Sequence, residues 1–342
     1  MHAEARKLLR ERTSRACDWR PKDLLATKSA SGATVSVVLP ALNEERTVGG
    51  IVDEIREAFL ADDDRDPGPG TGLVDELIVL DSGSTDRTAK VARAAGATVI
   101  HRDEVLARIP AVTGKGEAMW RAVAATTGDL IVFIDADLRS FTPSYITGLL
   151  GPLLTQPTVD LVKAVYERPL IQGEQVSVAG GGRVTELVAR PLLNLYWPQL
   201  AGVVQPLAGE YAARRSLVEQ LAFPCDYGVD FALLVGTADL AGVESIAQVD
   251  LGTRLHRHHD ERRLGRMSAE ILQTAWSRLG VATGNVPDRP FGATLAQFDH
   301  DGTGYAVTSH EVGALERPPL LSIPEYAATR VSTPLPRGTQ SA

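Results

Sequence analysis

Ile131-Val132-Phe133-Ile134-Asp135-Ala136-Asp137 is a short apolar run that ends in two carboxylates one residue apart. Bounded upstream by the polar turn Thr126-Thr127-Gly128-Asp129, the run predicts a strand buried on both faces, as in a parallel sheet. Asp135 and Asp137 would then emerge together at its C-terminal edge, where open α/β sheets bind ligands. Side chains at i and i+2 of an extended strand share a side, so the pair offers two hard oxygen donors to Mg²⁺ or Mn²⁺. Other coordination positions stay open for a substrate's phosphates. A strand that merely ends in surface acids is the competing reading of this triplet alone, and the surrounding segments decide between the two.

Upstream, the chain alternates in the βαβ manner. Thr34–Leu39 is an apolar strand, after which Val48, Ile51, Val52, Ile55 and Phe59 recur at helical spacing. Asn43 reads as the N-cap of that helix, with Glu44 and Glu45 in the first turn, where the helix dipole favours acids. Asp62 to Gly72 has loop composition. Glu76–Leu80, Thr98–His101 and Leu130–Ile134 continue as strands, with helices at Thr85–Ala95 and Gly116–Ala125. This order predicts an α/β fold with a Rossmann-like, mostly parallel sheet and right-handed crossovers. In the second half, Leu161–Tyr166 and Glu244–Val249 read as strands, and Thr185–Leu195, Ser216–Leu221 and Leu264–Leu279 as helices. The expected organisation is an N-terminal extension (1–33, with a helix at Ala5–Arg12), a ligand-binding α/β half (34–160), a second half (161–285) and a C-terminal segment (286–342) disordered after about 330.

The 342 residues, 44% of them hydrophobic, can bury a sizeable core. A net charge of -8 lacks the positive field that nucleic acid or an anionic membrane would favour, so an anionic substrate must be met by local arginines and lysines. Cys17 and Cys225 are too few and too far apart for a disulfide framework, which fits a cytoplasmic protein. The charged stretch Met1 to Arg15 has no signal-peptide core, and no apolar run is long enough for a membrane span.

Five further segments carry chemistry. Pro40-Ala41-Leu42-Asn43-Glu44-Glu45 follows the first strand at the edge where exposed amides and a helix N-terminus suit a nucleotide. Leu80-Asp81-Ser82-Gly83-Ser84-Thr85-Asp86 closes the second strand with residues that cap and turn. In Gly114-Lys115-Gly116-Glu117, a cation opens a helix where the dipole disfavours one, a conflict that a nearby anion such as a diphosphate resolves. The G-x-x-x-x-G-K-[ST] spacing of a P-loop is absent. Gly180-Gly181-Gly182-Arg183-Val184-Thr185-Glu186 lets backbone amides approach a ligand and adds a guanidinium fork and a hydroxyl, a cradle for a phosphorylated or carboxylated acceptor. A flexible glycine hinge is its competing reading. Arg254-Leu255-His256-Arg257-His258-His259 concentrates three of the seven histidines, competent ligands for Mn²⁺ or simply a solvated basic loop.

Taken together, Pro40–Glu45, Asp81–Asp86, Lys115, Asp135-Ala136-Asp137, Gly180–Glu186 and the Arg254, His256 pair resemble the glucosyl-3-phosphoglycerate synthases of actinobacteria. The resemblance runs from about Val35 to Met267 and takes in Gln205-Pro206-Leu207-Ala208-Gly209-Glu210-Tyr211 and Tyr227-Gly228-Val229. It implies a dimeric enzyme of GT-A-type fold that moves glucose from UDP-glucose to the 2-hydroxyl of 3-phosphoglycerate with retention at the anomeric carbon. That is a step toward glucosylglycerate or methylglucose lipopolysaccharide.

The resemblance assigns Pro40, Ala41, Leu42, Glu44, Ser82 and Lys115 to the UDP moiety, together with the triplet Asp135, Ala136 and Asp137. Asp135, Asp137 and His256 would hold Mg²⁺ or Mn²⁺; Gly182, Arg183, Thr185 and Arg254 would hold 3-phosphoglycerate; Leu207 and Tyr227 would border the glucose. Two positions depart. The family carries Glu after Tyr-Gly-Val where this chain has Asp230, and Asn where it has His258. Asp230 bears on the choice between UDP-glucose and the GDP-mannose used by some relatives. It is also the one carboxylate available as a nucleophile, against a front-face displacement in which the leaving diphosphate takes the acceptor's proton. A lipid-linked transferase and a non-catalytic sensor of nucleotide sugars are the remaining alternatives; the first lacks the amphipathic or hydrophobic C-terminal segment it needs.

Overall fold

The computed structural model describes residues 1–61, 68, 70–167, 170–172, 175–177, 182–253, 261–283, 292–300, 302, 304–313 and 315–331. Its first half runs α1 (Ala3–Glu11), β1 (Thr13–Arg15), α2 (Pro21–Ser31), β2 (Val35–Ala41), α3 (Val48–Phe59), β3 (Glu76–Asp81), α4 (Thr88–Ala94), β4 (Thr98–His101), α5 (Lys115–Ala125), β5 (Leu130–Phe133) and α6 (Ser144–Thr155). Then come β6 (Leu161–Glu167), the short β7 (Leu170–Gln172) and β8 (Gln175–Ser177), a π-helical turn at Thr185–Ala189, α7 (Arg190–Tyr196), β9 (Tyr211–Arg214) and α8 (Arg215–Val218). The chain continues through β10 (Phe223–Pro224), α9 (Val229–Ala241), β11 (Ile246–Thr253) and α10 (Glu261–Thr283) to β12 (Thr294–His300), β13 (Tyr305–Glu311), β14 (Glu316–Arg317) and α11 (Pro324–Val331). The expected disordered tail falls largely outside the described residues.

Eight strands form one sheet in the order β1-β11-β6-β9-β5-β2-β3-β4. The central β2 and β5 bury nearly every residue, the signature of strands covered on both faces. On one face Ile51, Val52 and Ile55 of α3 pack with Ile146, Leu149 and Leu150 of α6; on the other lie Trp120 of α5, Phe231 of α9 and Ile271 of α10. Full burial of one such side chain contributes about 1.5–3 kcal/mol before conformational entropy is charged.

Two features depart from the expected pattern. The first 33 residues join the sheet: β1 pairs in parallel with β11, Thr13 lying opposite Gln248. The mostly parallel sheet also contains one reversed strand, since β9 is antiparallel to both β5 and β6. A reversed strand enters at the edge where its parallel neighbours end. The Gln205–Glu210 segment is therefore delivered to the C-terminal edge of β5, where Gly209 lies against Asp135.

Candidate active site

The loops after β2 and β3 are stitched to each other. Asn43 N donates to Ser84 Oγ at 3.0 Å, Glu44 N to Thr88 Oγ1 at 2.8 Å and Glu45 N to Asp86 Oδ2 at 3.2 Å. In return Thr85 N donates to Asn43 Oδ1 at 2.9 Å, and Ser82 N to the Ala41 carbonyl at 2.9 Å. Asn43 is thus no helix cap. It sits at φ +59°, in the left-handed region that asparagine tolerates, and α3 starts only after Thr47. Glu44 and Glu45 accordingly precede the helix, and the amides expected to face a ligand are satisfied by the neighbouring loop. What remains is a rigid shelf with Pro40 half-buried, Ala41 and Ser82 buried, and Leu42 exposed.

β5 ends at Phe133, two residues earlier than the acid pair required for a strand-borne arrangement. Asp135 and Asp137 instead sit in the turn that follows, partly exposed on either side of the buried Ala136. Thr47 Oγ1 donates to the Ala136 carbonyl at 2.6 Å and ties this turn to the entrance of α3. On the other flank Gly209 presses so close that any Cβ there would collide with the Asp135 carboxylate. A side chain at 209 would force the Asp135 carboxylate to move.

Lys115 resolves its unfavourable place at the head of α5 with two protein carboxylates. Its Nζ donates to Asp230 Oδ2 at 3.0 Å and lies 3.7 Å from Asp135 Oδ1. Burial works against its charge, but Asp135 and Asp230 outweigh this and hold the ammonium above its ordinary pKa. The glycines on either side make the geometry possible: a Cβ at Gly114 would strike the Cys225 carbonyl, and one at Gly116 the Pro224 carbonyl. The head of α5 can therefore lie against 224–225, the segment that leads into Asp230 at the start of α9.

Behind Asp230 lies Lys163, which the sequence reading passed over. Its side chain is 2% exposed; Nζ donates to the Ala208 carbonyl at 2.6 Å and lies 3.9 Å from Asp230 Oδ1. Burial lowers its pKa to about 8, opposed by Asp230 and reinforced by Lys115. The signal was present as a lone charge in the apolar run Leu161-Val162-Lys163-Ala164-Val165. Glu210 Oε2 accepts from Tyr166 Oη at 2.8 Å in the same buried region.

Gly182, at φ +82°, opens the π-helical turn; Arg183 is exposed, Thr185 is buried, and Arg183 Nη1 lies 3.5 Å from Glu261 Oε1. Arg183, Val184 and Leu187 face Glu261, Leu264, Gly265 and Ser268 of α10 across a hollow of about 250 Å³. Tyr227 Oη accepts from Arg263 Nη2 at 2.8 Å, and Leu207 is half-buried against the core. The structure thus gathers Lys115, Asp135 and Asp230, with Ala208 and Gly209 beside them. Gly180, Gly181, Arg254, His256, His258 and His259 lie outside the described residues. Among the described residues no group of three or more His, Cys, Asp or Glu side chains is arranged to hold a metal ion.

Residues 36–177 match the model of glycosyl transferase family 2. Over 305 residues, 89% of this chain and 94% of the other, the protein is 47% identical to the glucosyl-3-phosphoglycerate synthase of Mycolicibacterium smegmatis. The chain belongs to the glucosyl-3-phosphoglycerate synthase family. The family member from Petrotoga mobilis is 36% identical over 308 residues, 89% of this chain and 91% of its own. A crystal structure of the Mycobacterium tuberculosis synthase, in complex with Mn²⁺, UDP and phosphoglyceric acid, superposes with a TM-score of 0.77 at 46% identity, covering 89% of this chain and 95% of that one. Another, with Mg²⁺ and UDP, gives 0.78 at 45% identity over 91% and 98%. The expected α/β fold of GT-A type is therefore present, its mostly parallel sheet interrupted by β9.

Proposed function

We infer that the protein is a hexosyltransferase that moves glucose from UDP-glucose to the 2-hydroxyl of 3-phosphoglycerate, with retention and with Mg²⁺ or Mn²⁺ as cofactor. The observation that carries this reading is the juxtaposition of Lys115, Asp135 and Asp230 at the sheet edge, in a chain that shares 47% identity with a synthase over nearly its full length. In this reading the half 34–160 holds the nucleotide and 161–285 the acceptor.

Asp135 and Asp137 suit a hard divalent cation: both are carboxylates, partly exposed, and carried on a turn fixed by Thr47. With His256 they would hold the metal, which when bound neutralises negative charge gathering on a departing diphosphate. Pro40, Ala41, Leu42, Glu44 and Ser82 offer the nucleoside a shelf that binding need not reorganise. Lys115 adds a fixed ammonium for the leaving phosphate, stabilisation that costs no reorganisation as charge develops. Leu207, Tyr227 and Asp230 would border the sugar; Gly182, Arg183, Thr185 and Arg254 would bind the acceptor. Asp230 is only 5% exposed and is held by Lys115, which favours a sugar-contacting role over a nucleophilic one. A front-face displacement, with the leaving diphosphate taking the acceptor's proton, fits that arrangement.

The experiment is UDP release by purified protein with Mg²⁺ and 3-phosphoglycerate, set beside GDP release from GDP-mannose. UDP release should depend on acceptor, and mass spectra of protein quenched with donor alone should show no adduct. Preference for GDP-mannose would move the reading to a mannosyltransferase, and a glycosyl-Asp230 species would overturn the front-face step.

Among the described residues no helix is long and apolar enough to cross a membrane. We propose a cytoplasmic homodimer. Its support is exposed apolar surface: Phe298 on β12, Tyr305 and Val307 on β13, and Leu195 and Tyr196 on α7, beside Trp276 of α10. Light scattering of the soluble fraction should give twice the chain mass; a single-chain mass at micromolar concentration would sink the dimer.

A further inference from the structure

Lys163 is a lysine whose side chain is only 2% exposed, set in a strand of mostly apolar residues. On the sheet it stands in register with Tyr211 of β9, which in turn lies opposite Phe133 of β5. Phe133 and Tyr211 stack at 4.7 Å between ring centroids, and the Lys163 ammonium lies over the Tyr211 ring at 5.0 Å. This row forms a buried floor running under α9 to the point where β5 gives way to the two aspartates. An aliphatic side chain would fill the position without the cost of burying an ammonium. The ammonium instead grips two things that border the sugar site: the Ala208 carbonyl, between Leu207 and Gly209, and the carboxylate of Asp230.

We propose that Lys163 is a positioning residue that orients Asp230 and the Leu207–Gly209 turn against the transferred sugar. The proposal rests on the donor reading above. Asp230 is held between two cations, Lys115 at 3.0 Å on one oxygen and Lys163 at 3.9 Å on the other. Oδ1 is buried with no hydrogen-bond partner among the described residues, as is Tyr211 Oη. Lys163 therefore acts on Oδ1 as a charge rather than by a direct hydrogen bond, fixing the carboxylate's orientation.

The test is a double-mutant cycle on kcat/KM for UDP-glucose, with UDP affinity measured alongside. Lys163→Gln removes the charge but keeps a donor for the Ala208 carbonyl. It should lower kcat/KM by about 10- to 100-fold, the range for residues that support a site's direct ligands, while UDP affinity stays within about twofold. In an Asp230→Asn background the same change should cost about twofold or less. Equal losses in the two backgrounds, or UDP affinity falling in step with kcat/KM, would overturn the proposal, because a general packing defect does both. Lys163→Arg keeps the buried charge while displacing it, and passes through the same cycle with the same two outcomes where the neutral variant does not fold. Acceptor-dependent UDP release by the native enzyme is the reference. Its absence would sink the donor reading, whereas native release with an additive cycle sinks the role of Lys163 alone.

Discussion

Asp137→Ala is expected to lower metal-dependent kcat/KM by about 10³-fold, comparable to removing a principal electrostatic stabiliser of a transition state, while the thermal midpoint barely moves. The two expectations separate because Asp137 is half-exposed in a turn outside the sheet, where a substitution usually changes stability by no more than about 0.5 kcal/mol. Asp137 is a cleaner probe than its neighbour. Asp135 also faces Lys115 at 3.7 Å and abuts Gly209, so Asp135→Ala removes a proposed metal donor, an ion pair and a packing contact at once. Circular dichroism, Mn²⁺ titration and turnover on one preparation decide the matter. Folded protein with weakened Mn²⁺ binding and lost turnover is the expected result. Near-native turnover with unchanged Mg²⁺ dependence would remove Asp137 from the metal site.

The parts of the fold that could be read from sequence are those whose burial leaves a periodic trace. β2, β3 and β5 are dominated by apolar residues, and α3 carries Val48, Ile51, Val52, Ile55 and Phe59 on one face. α9 is buried over most of its length, Asp230 included, so no 3.6-residue pattern marks Val229–Ala241. α6 contains Gly148, Gly151 and Pro152, residues that argue against a helix. Those glycines exist because Trp19 and Leu251 pack where a Cβ would stand, a tertiary reason invisible in the segment itself. β1 and β9, of three and four residues, are too short for any alternation to register. The β12–β13 hairpin leaves no apolar periodicity in the sequence, because most of its residues are exposed on both faces.

The site divides in the same way. The aspartate pair and Lys115 announce themselves by chemistry that is unusual for their local setting. Asp230 entered through resemblance to known enzymes, and Lys163 became meaningful only when β9 placed Tyr211 between it and Phe133. The antiparallel strand is thus the hidden element on which the buried half of the site depends.

Arg183→Ala should raise the KM for 3-phosphoglycerate by at least about 10²-fold and leave that for UDP-glucose within about twofold, since two charge-assisted hydrogen bonds are each worth roughly 1.5–3 kcal/mol. The guanidinium is exposed and borders the hollow between the π-helical turn and α10, with Gly182 at φ +82° ahead of it and Thr185 behind. Its contact with Glu261, at 3.5 Å and with the glutamate 91% exposed, contributes little to the folded state, so truncation should act on the acceptor and not on stability. Arg183→Lys restores charge without the planar fork and should recover only part of the loss. Steady-state kinetics with each substrate varied in turn reads the difference. Equal changes in both Michaelis constants, or a fall in kcat with the acceptor KM untouched, would place Arg183 away from the acceptor and leave the hollow beside α10 without its assigned ligand.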